Sequence, residues 1–333
     1  MRAIVVRLDN DGDVLLAGPA IRAVAAGADH VTLLCGPRGA AAAALLPGVN
    51  ELLVRRAEWI DPEPAPVLRH DVEAYVDAIA ALQADVAIVL TSFHQSPLPI
   101  ALLLRLAGVG RIAAISEDYP GSLLDVRLRD PGDVHETARA LGVAAALGFT
   151  LPEGDDGRLA VVPAEPEVAL PERYVIVHPG ASVPARAWAP ERSRELVAAL
   201  TDAGREVVVT GAPAERELTA FVSAGRGTDL GGATTLAQLA GVLAGADAVV
   251  VGNTGPAHLA AAVGTAVVSL FAPTVPAARW RPWGVASELL FVDVPCAGCR
   301  ARVCPVQGHP CLSGVTVPDV VDALERLPVE AVA

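Results

Sequence analysis

Residues 247–264 read Asp247-Ala-Val-Val-Val-Gly-Asn-Thr-Gly-Pro-Ala-His-Leu-Ala-Ala-Ala-Val-Gly264, and their order decides the fold. The β-branched run Val249–Val251 stops at Gly252. Small turn residues follow, Asn253-Thr254-Gly255-Pro256, and then an alanine-rich stretch of high helix propensity. The unit expected is strand, loop, helix, with the helix start left bare by small side chains. Backbone N–H groups at such a start lack intrahelical acceptors and lie at the positive end of the helix dipole, so the place suits an anion, most often phosphate. Pro256 fits the first helical position, where a missing N–H costs nothing. His258 falls in that first turn, within reach of whatever the turn binds. The same residues would also serve an ordinary βα junction with a buried histidine.

The pattern repeats outward from this stretch. In the first half, strands are expected at Ala3–Leu8, Val31–Cys35, Glu51–Val54, Val86–Leu90 and Ile112–Ile115. Helices are expected at Leu15–Ala26, Gly39–Leu46, Val72–Leu82, Pro97–Leu106 and His135–Leu147. Continuous apolar strands alternating with helices predict a parallel sheet covered on both faces. A polar stretch from Pro152 to Pro171 reads as a linker. It sets a first Rossmann-like domain at 1–160 apart from a second at 172–333, where the alternation resumes with strands Tyr174–His178, Glu206–Thr210, Ala248–Val251 and Ala266–Phe271. The fold expected is α/β, with two doubly wound domains facing a ligand cleft.

Composition narrows the function. The chain of 333 residues has a net charge of −13 and only 19% charged residues, and it contains no lysine. An acidic chain of this kind lacks the concentrated basic face that nucleic acids need. No run approaches the roughly 18 apolar residues of a membrane span, and Arg7 and Asp9 break the N-terminal run before it could act as a signal sequence. A cytoplasmic protein with no transmembrane segment is expected, with the inner membrane face as an alternative peripheral location.

Three loop clusters at strand ends carry chemistry. Arg7-Leu8-Asp9-Asn10-Asp11-Gly12-Asp13-Val14 follows the first strand. Gly12 suits a tight turn, and Asp13 lands at a helix start, where it would cap the helix or act as a general base toward a hydroxyl. Asp9 and Asp11 read as solvated loop residues. His178-Pro179-Gly180-Ala181-Ser182, followed by Arg186-Ala187-Trp188, offers a hydroxyl and a planar guanidinium suited to pyrophosphate oxygens. Thr210-Gly211-Ala212-Pro213-Ala214-Glu215 puts an acid at another helix start, to cap it or to hold ribose or sugar hydroxyls. Separately, Cys296, Cys299, Cys304 and Cys311 fall within a Cys-rich segment, 296–311. Four such thiols suit structural zinc or an iron–sulfur cluster, although the spacing matches no standard zinc finger and also suits reduced thiols in a compact loop.

Together, Gly12-Asp13-Val14, the HPGAS run at 178–182 with R-x-W-x-P at 186–190, and NTGPAHLAAAVGTAVVSLFAPT at 253–274 resemble glycosyltransferase family 9, the heptosyltransferases. The likeness covers nearly the whole chain. It implies a GT-B fold and an inverting, metal-independent enzyme that uses ADP-activated heptose and needs no cofactor for catalysis. By the same resemblance Asp13 matches the general base and Arg186 the cation on the donor phosphates. Ser182 matches a hydroxyl beside them, Glu215 an acid near ribose or sugar, and Thr254, Gly255 and His258 the donor loop. Asn253 departs from the family's usual Asp and marks the donor-sugar grip as the part most open to change. The acceptor expected is a cell-envelope glycan, a glycolipid or a small-molecule natural product. A sugar-nucleotide epimerase of GT-B-like fold and a non-catalytic nucleotide- or sugar-binding protein are the alternatives.

Overall fold

Strands that are apolar on both faces must be covered on both faces, and in the computed structural model they form two parallel six-stranded sheets flanked by helices. Residues 1–328 are described. They divide into a unit spanning Met1–Ala160 and a second beginning at Val161, a boundary inside the polar stretch Pro152–Pro171. The first unit runs β1 Arg2–Arg7, α1 Asp11–Leu16, α2 Gly18–Gly27, β2 His30–Cys35, α3 Ala40–Ala43, β3 Glu51–Val54, α4 Arg69–Ala80, β4 Val86–Val89, α5 Leu98–Leu106, β5 Arg111–Ile115, β6 Val126–Leu128 and α6 Glu136–Ala146. The second runs β7 Val175–His178, α7 Pro190–Asp202, β8 Val207–Gly211, α8 Arg216–Ser223, β9 Thr228–Gly231, α9 Leu236–Ala244, β10 Ala248–Gly252, α10 Gly255–Ala262, β11 Ala266–Leu270, α11 Ala277–Trp280, β12 Ser287–Leu290, α12 Pro310–Ser313 and α13 Val317–Arg326.

The two sheets share one plan. Their orders are β3-β2-β1-β4-β5-β6 and β12-β11-β10-β7-β8-β9, the doubly wound arrangement in which the winding reverses between the first and fourth strand of each unit. In the first unit that reversal lies between β1 and β4, where Val6 pairs with Val89. In the second it lies between β7 and β10, where His178 pairs with Val251. Loops leaving the carboxyl ends of these strand pairs diverge and leave a crevice, the usual ligand position in such sheets. The Arg7–Val14 loop and the loops at His178–Trp188 and Gly252–Gly255 all leave these reversal points.

Each sheet builds its own core. Ile4, Val6, Leu34, Ile100, Leu104 and Ile112 fill one in the first unit, and Val177, Leu196, Val209, Val250, Val268 and Leu324 one in the second. Two expectations shift. The single helix expected at Leu15–Ala26 is broken into α1 and α2 at Ala17, because Pro19 in the first turn of α2 has no N–H to continue the ladder. Gly12 lies inside α1 rather than in a tight turn.

Candidate functional site

In the second unit, loops from β7, β8 and β10 meet at the carboxyl edge of the sheet. β10 ends in glycine for a steric reason: a Cβ on Gly252 would lie 2.7 Å from the carbonyl oxygen of Arg186. The β7 loop and the α10 start are thereby locked together through backbone. Arg186 ends a short 3-10 turn, Pro184–Arg186, Ser182 is exposed, and Trp188 is buried and anchors the returning chain. The β8 loop joins through Gly180, where any side chain would collide with the Glu215 carboxylate. Glu215 Oε2 accepts the Ala212 N–H at 2.8 Å, so this acid does cap its own turn, while its carboxylate also lies against the β7 loop.

His178 closes β7 with its Nδ1 2.9 Å from Thr210 Oγ1. Burial pushes its pKa down, with the Glu215 charge opposing, so it is held neutral.

The α10 start matches the expected bare terminus. Thr254 is its extended N-cap, yet its hydroxyl makes no capping bond, and its N–H is taken by Gly252 O at 2.9 Å. Asn253 is 5% exposed. Its Nδ2 donates to Ala272 O at 3.2 Å, whereas its Oδ1 has no partner among the described residues. A buried amide oxygen left unmatched costs about 1–3 kcal/mol, which a ligand hydroxyl would recover. His258 is buried in the first turn of α10. Thr274, just past β11, is a neighbour that local spacing did not single out: it is buried and its hydroxyl also lacks a partner among the described residues.

The Cys-rich segment braces this edge. Gly298 N–H donates to Pro273 O at 2.7 Å and Arg300 N–H to Thr274 O at 2.9 Å. Ala185 N–H donates to Arg302 O at 3.0 Å, and His309 Nε2 lies 3.1 Å from Ala185 O. Cys296, Cys299, Cys304 and Cys311 are free thiols that line, with His309, one cavity of about 30 Å3. Among the described residues no three His, Cys, Asp or Glu side chains are placed to share a metal ion. Burial pushes the Cys311 thiol up.

In the first unit the Arg7–Val14 loop is a buried charge cluster, which corrects the expectation for Asp9 and Asp11. Asp9 is 9% exposed; its Oδ2 lies 3.0 Å from Arg7 Nε, and Gln95 Nε2 donates to its Oδ1 at 2.5 Å. Burial pushes it up to about 6. Asp11 Oδ1 accepts the Ala42 N–H at 3.0 Å and so ties α1 to α3. Asp13 is not the N-cap of α1, a place held by Asn10. Its Oδ1 takes a 2.9 Å hydrogen bond from Arg7 Nη2, and its side chain is 21% exposed.

Two doubly wound units of one strand order, the second with a bare helix start whose preceding Gly252 lies against the Arg186 backbone, define a GT-B architecture. The family model of glycosyltransferase family 9 (heptosyltransferase) matches residues 77–309, and the chain belongs to that family. Lipopolysaccharide heptosyltransferase 1 of Pseudomonas aeruginosa is 34% identical over 168 residues, 49% of this chain and 46% of that protein. Lipopolysaccharide heptosyltransferase 3 of Escherichia coli K12 is 30% identical over 122 residues, 35% of each. The chain thus matches less than half the length of these curated relatives. Among solved structures, a family 9 glycosyltransferase from Veillonella parvula aligns with TM-score 0.76 at 18% identity, covering 97% of this chain and 96% of that one. The E. coli heptosyltransferase WaaC with ADP-2-deoxy-2-fluoro heptose aligns with TM-score 0.74 at 21% identity, over 98% and 99%. At these identities the structural likeness is one of fold.

Two outcomes follow from the packing. Gly252→Ala forces the Arg186 carbonyl away and is expected to destabilise the fold by about 1–3 kcal/mol, read as a fall in melting temperature; an unchanged melting curve would contradict the close approach. Because the pKa of His178 is lowered on folding, the unfolded chain binds its proton first as pH falls through about 6.5, and stability is lost below that value. The melting temperature should therefore drop more between pH 7.5 and 5.5 in the parent chain than in His178→Gln; equal drops would contradict a neutral, buried imidazole.

Proposed function

We propose that this chain is an inverting glycosyltransferase that moves a heptose or related sugar from an ADP-sugar to an acceptor hydroxyl. The observation that carries this reading is the uncapped α10 start with buried Asn253, coupled to Arg186 through the Gly252 backbone. The named relatives, lipopolysaccharide heptosyltransferases, support the donor class, as does the ADP-2-deoxy-2-fluoro heptose with which WaaC was solved.

The transfer is a single displacement. The acceptor oxygen attacks the anomeric carbon, the bond from that carbon to the β-phosphate oxygen breaks, and ADP leaves with the electron pair. Arg186 and the α10 dipole offset the charge gathering on the diphosphate. Asp13 accepts the hydroxyl proton. Asn253 and Glu215 hold sugar or ribose hydroxyls, with Ser182, Thr254, Gly255 and His258 around the phosphates. In this scheme the chain itself supplies the positive charge, and no divalent cation takes part. The acceptor we favour is a cell-envelope glycan, a glycolipid or a small-molecule natural product.

The Cys-rich loop takes no step in this scheme. Its four thiols have the chemistry for zinc or an iron–sulfur cluster, and elemental analysis of the purified chain tests that: one equivalent of zinc or of cluster iron would assign a metal, whereas a trace would leave reduced thiols.

Three measurements test the functional reading. Arg186→Ala should weaken ADP binding about 10- to 100-fold, as loss of a charge-assisted hydrogen bond to phosphate does; unchanged affinity would remove Arg186 from the phosphates. Asp13→Ala should bind ADP as the parent does yet lose product by about a hundredfold or more; retained transfer would refute the base. Incubation with ADP-heptose and candidate acceptors should yield a glycoside of inverted anomeric configuration, at a rate that EDTA leaves unchanged. An epimerised sugar nucleotide, or no turnover with bound ADP-sugar, would replace the reading with an epimerase or a binding protein.

A further inference from the structure

The charge cluster around Arg7 contains more than the proposed base. Arg7 is the last residue of β1 and is 4% exposed. Its guanidinium serves several partners at once: Nη2 donates to Asp13 Oδ1 at 2.9 Å and to Ser92 Oγ at 3.0 Å, Nε lies 3.0 Å from Asp9 Oδ2, and Nη1 lies 4.0 Å from Glu136 Oε2. Glu136, buried at the start of α6, is gripped in turn by Arg139, whose Nη1 donates to both its carboxylate oxygens at 3.0 and 3.1 Å and to Thr91 O at 3.2 Å. Arg139 Nε lies 3.5 Å from Asp130. Charges therefore alternate from the α1 turn through β1 to α6: Asp13, Arg7, Glu136, Arg139, Asp130.

Such an arrangement is costly to bury and loses its balance when one member is removed. Nothing in α1 itself fixes Asp13, because Asn10 makes no side-chain cap and the helix has only six residues. Arg7 occupies Oδ1 and leaves Oδ2 without a hydrogen-bond donor among the described residues. The guanidinium is planar and rigid, so engaging Asp9 and Ser92 as well sets the plane in which the Asp13 carboxylate is held.

We propose that Arg7, held by Asp9 and by the Glu136–Arg139 pair, is the positioning residue that presents Asp13 Oδ2 to the acceptor hydroxyl. This rests on the reading of Asp13 as the base, and it adds two regions remote in sequence, the loop after β4 and α6, to the machinery that aims it. Arg7 acts on the rate of transfer and leaves the donor-binding unit untouched.

The test follows ADP release from ADP-heptose, with water and with any hydroxyl acceptor that accelerates it, in the full-length parent, Arg7→Lys, Arg7→Met, Glu136→Gln and Asp13→Asn. Arg7→Lys keeps the buried charge and loses the planar grip; kcat should fall about tenfold, with KM for ADP-heptose within twofold. Arg7→Met should fall about a hundredfold, as misplacement of a reacting group by about 1 Å does. Glu136→Gln removes one of the carboxylates that hold Arg7 in place, so kcat should fall with KM for ADP-heptose within twofold. If Arg7→Met does not fold, Arg7→Lys and Glu136→Gln decide. Parent-like kcat in both, with Asp13→Asn inactive, would overturn the positioning role and leave the base intact. Parent-like release by Asp13→Asn would overturn the functional reading of Asp13 and this assignment with it. A rise in KM for ADP-heptose at constant kcat would place Arg7 in donor binding and overturn the assignment as well.

Discussion

The backbone of Gly252 lies against the carbonyl of Arg186, and the arrangement of loops at the edge of the second sheet depends on that approach. It brings the end of β10 and the loop after β7 to one place at the reversal point of the second sheet, so the α10 start and the Arg186 backbone meet at the same edge. In the proposed donor site the two complement each other: a helix terminus offers dipole and N–H groups, and an arginine offers a planar pair of donors. Gly180 against Glu215 repeats the device one strand away. The result is a set of three loops whose positions are fixed through main chain and small residues. In the proposed function, the side chains of Ser182, Arg186, Asn253 and Thr254 are then left to meet the donor.

Asn253 illustrates how that division works. Its amide nitrogen is spent on Ala272 O, which no carboxylate could satisfy, and its oxygen is left buried and unmatched among the described residues. An Asp at this position would set a negative charge against the Ala272 carbonyl. The Asn therefore pins the α10 loop to the turn just past β11 while offering one neutral acceptor where an Asp would offer an ionised one.

Much of this was legible in the sequence where local pattern determines structure. The buried strands Ala3–Leu8, Val86–Leu90 and Ala248–Val251 announce themselves as apolar runs, and the helix at Pro256 is announced by its turn. The strands that sequence reading missed, β6, β9 and β12, all lie at sheet edges. There a strand is half exposed and short, so Val126–Leu128, Thr228–Gly231 and Ser287–Leu290 carry no continuous apolar signal. The charge cluster was legible only in part. Arg7, Asp9 and Asp13 are close in sequence, but Asp9 looked solvated because Gln95, which donates to it, and Glu136 and Arg139, which complete the cluster around Arg7, lie more than eighty residues away. Likewise, the role of the Cys-rich segment as a brace on Ala185 and Thr274 arises from backbone hydrogen bonds, which leave no mark in residue identity.

Everything proposed for the donor rests on the second unit being a diphosphate site built on α10 and Arg186. A crystal structure of the chain with ADP would show this without intermediary. Phosphate oxygens are expected within hydrogen-bond distance of the Arg186 guanidinium and of the backbone at Thr254–Gly255, with Asn253 Oδ1 facing the open end of the site. ADP bound away from the β7–β10 edge, with Arg186 turned from it, would refute the diphosphate site.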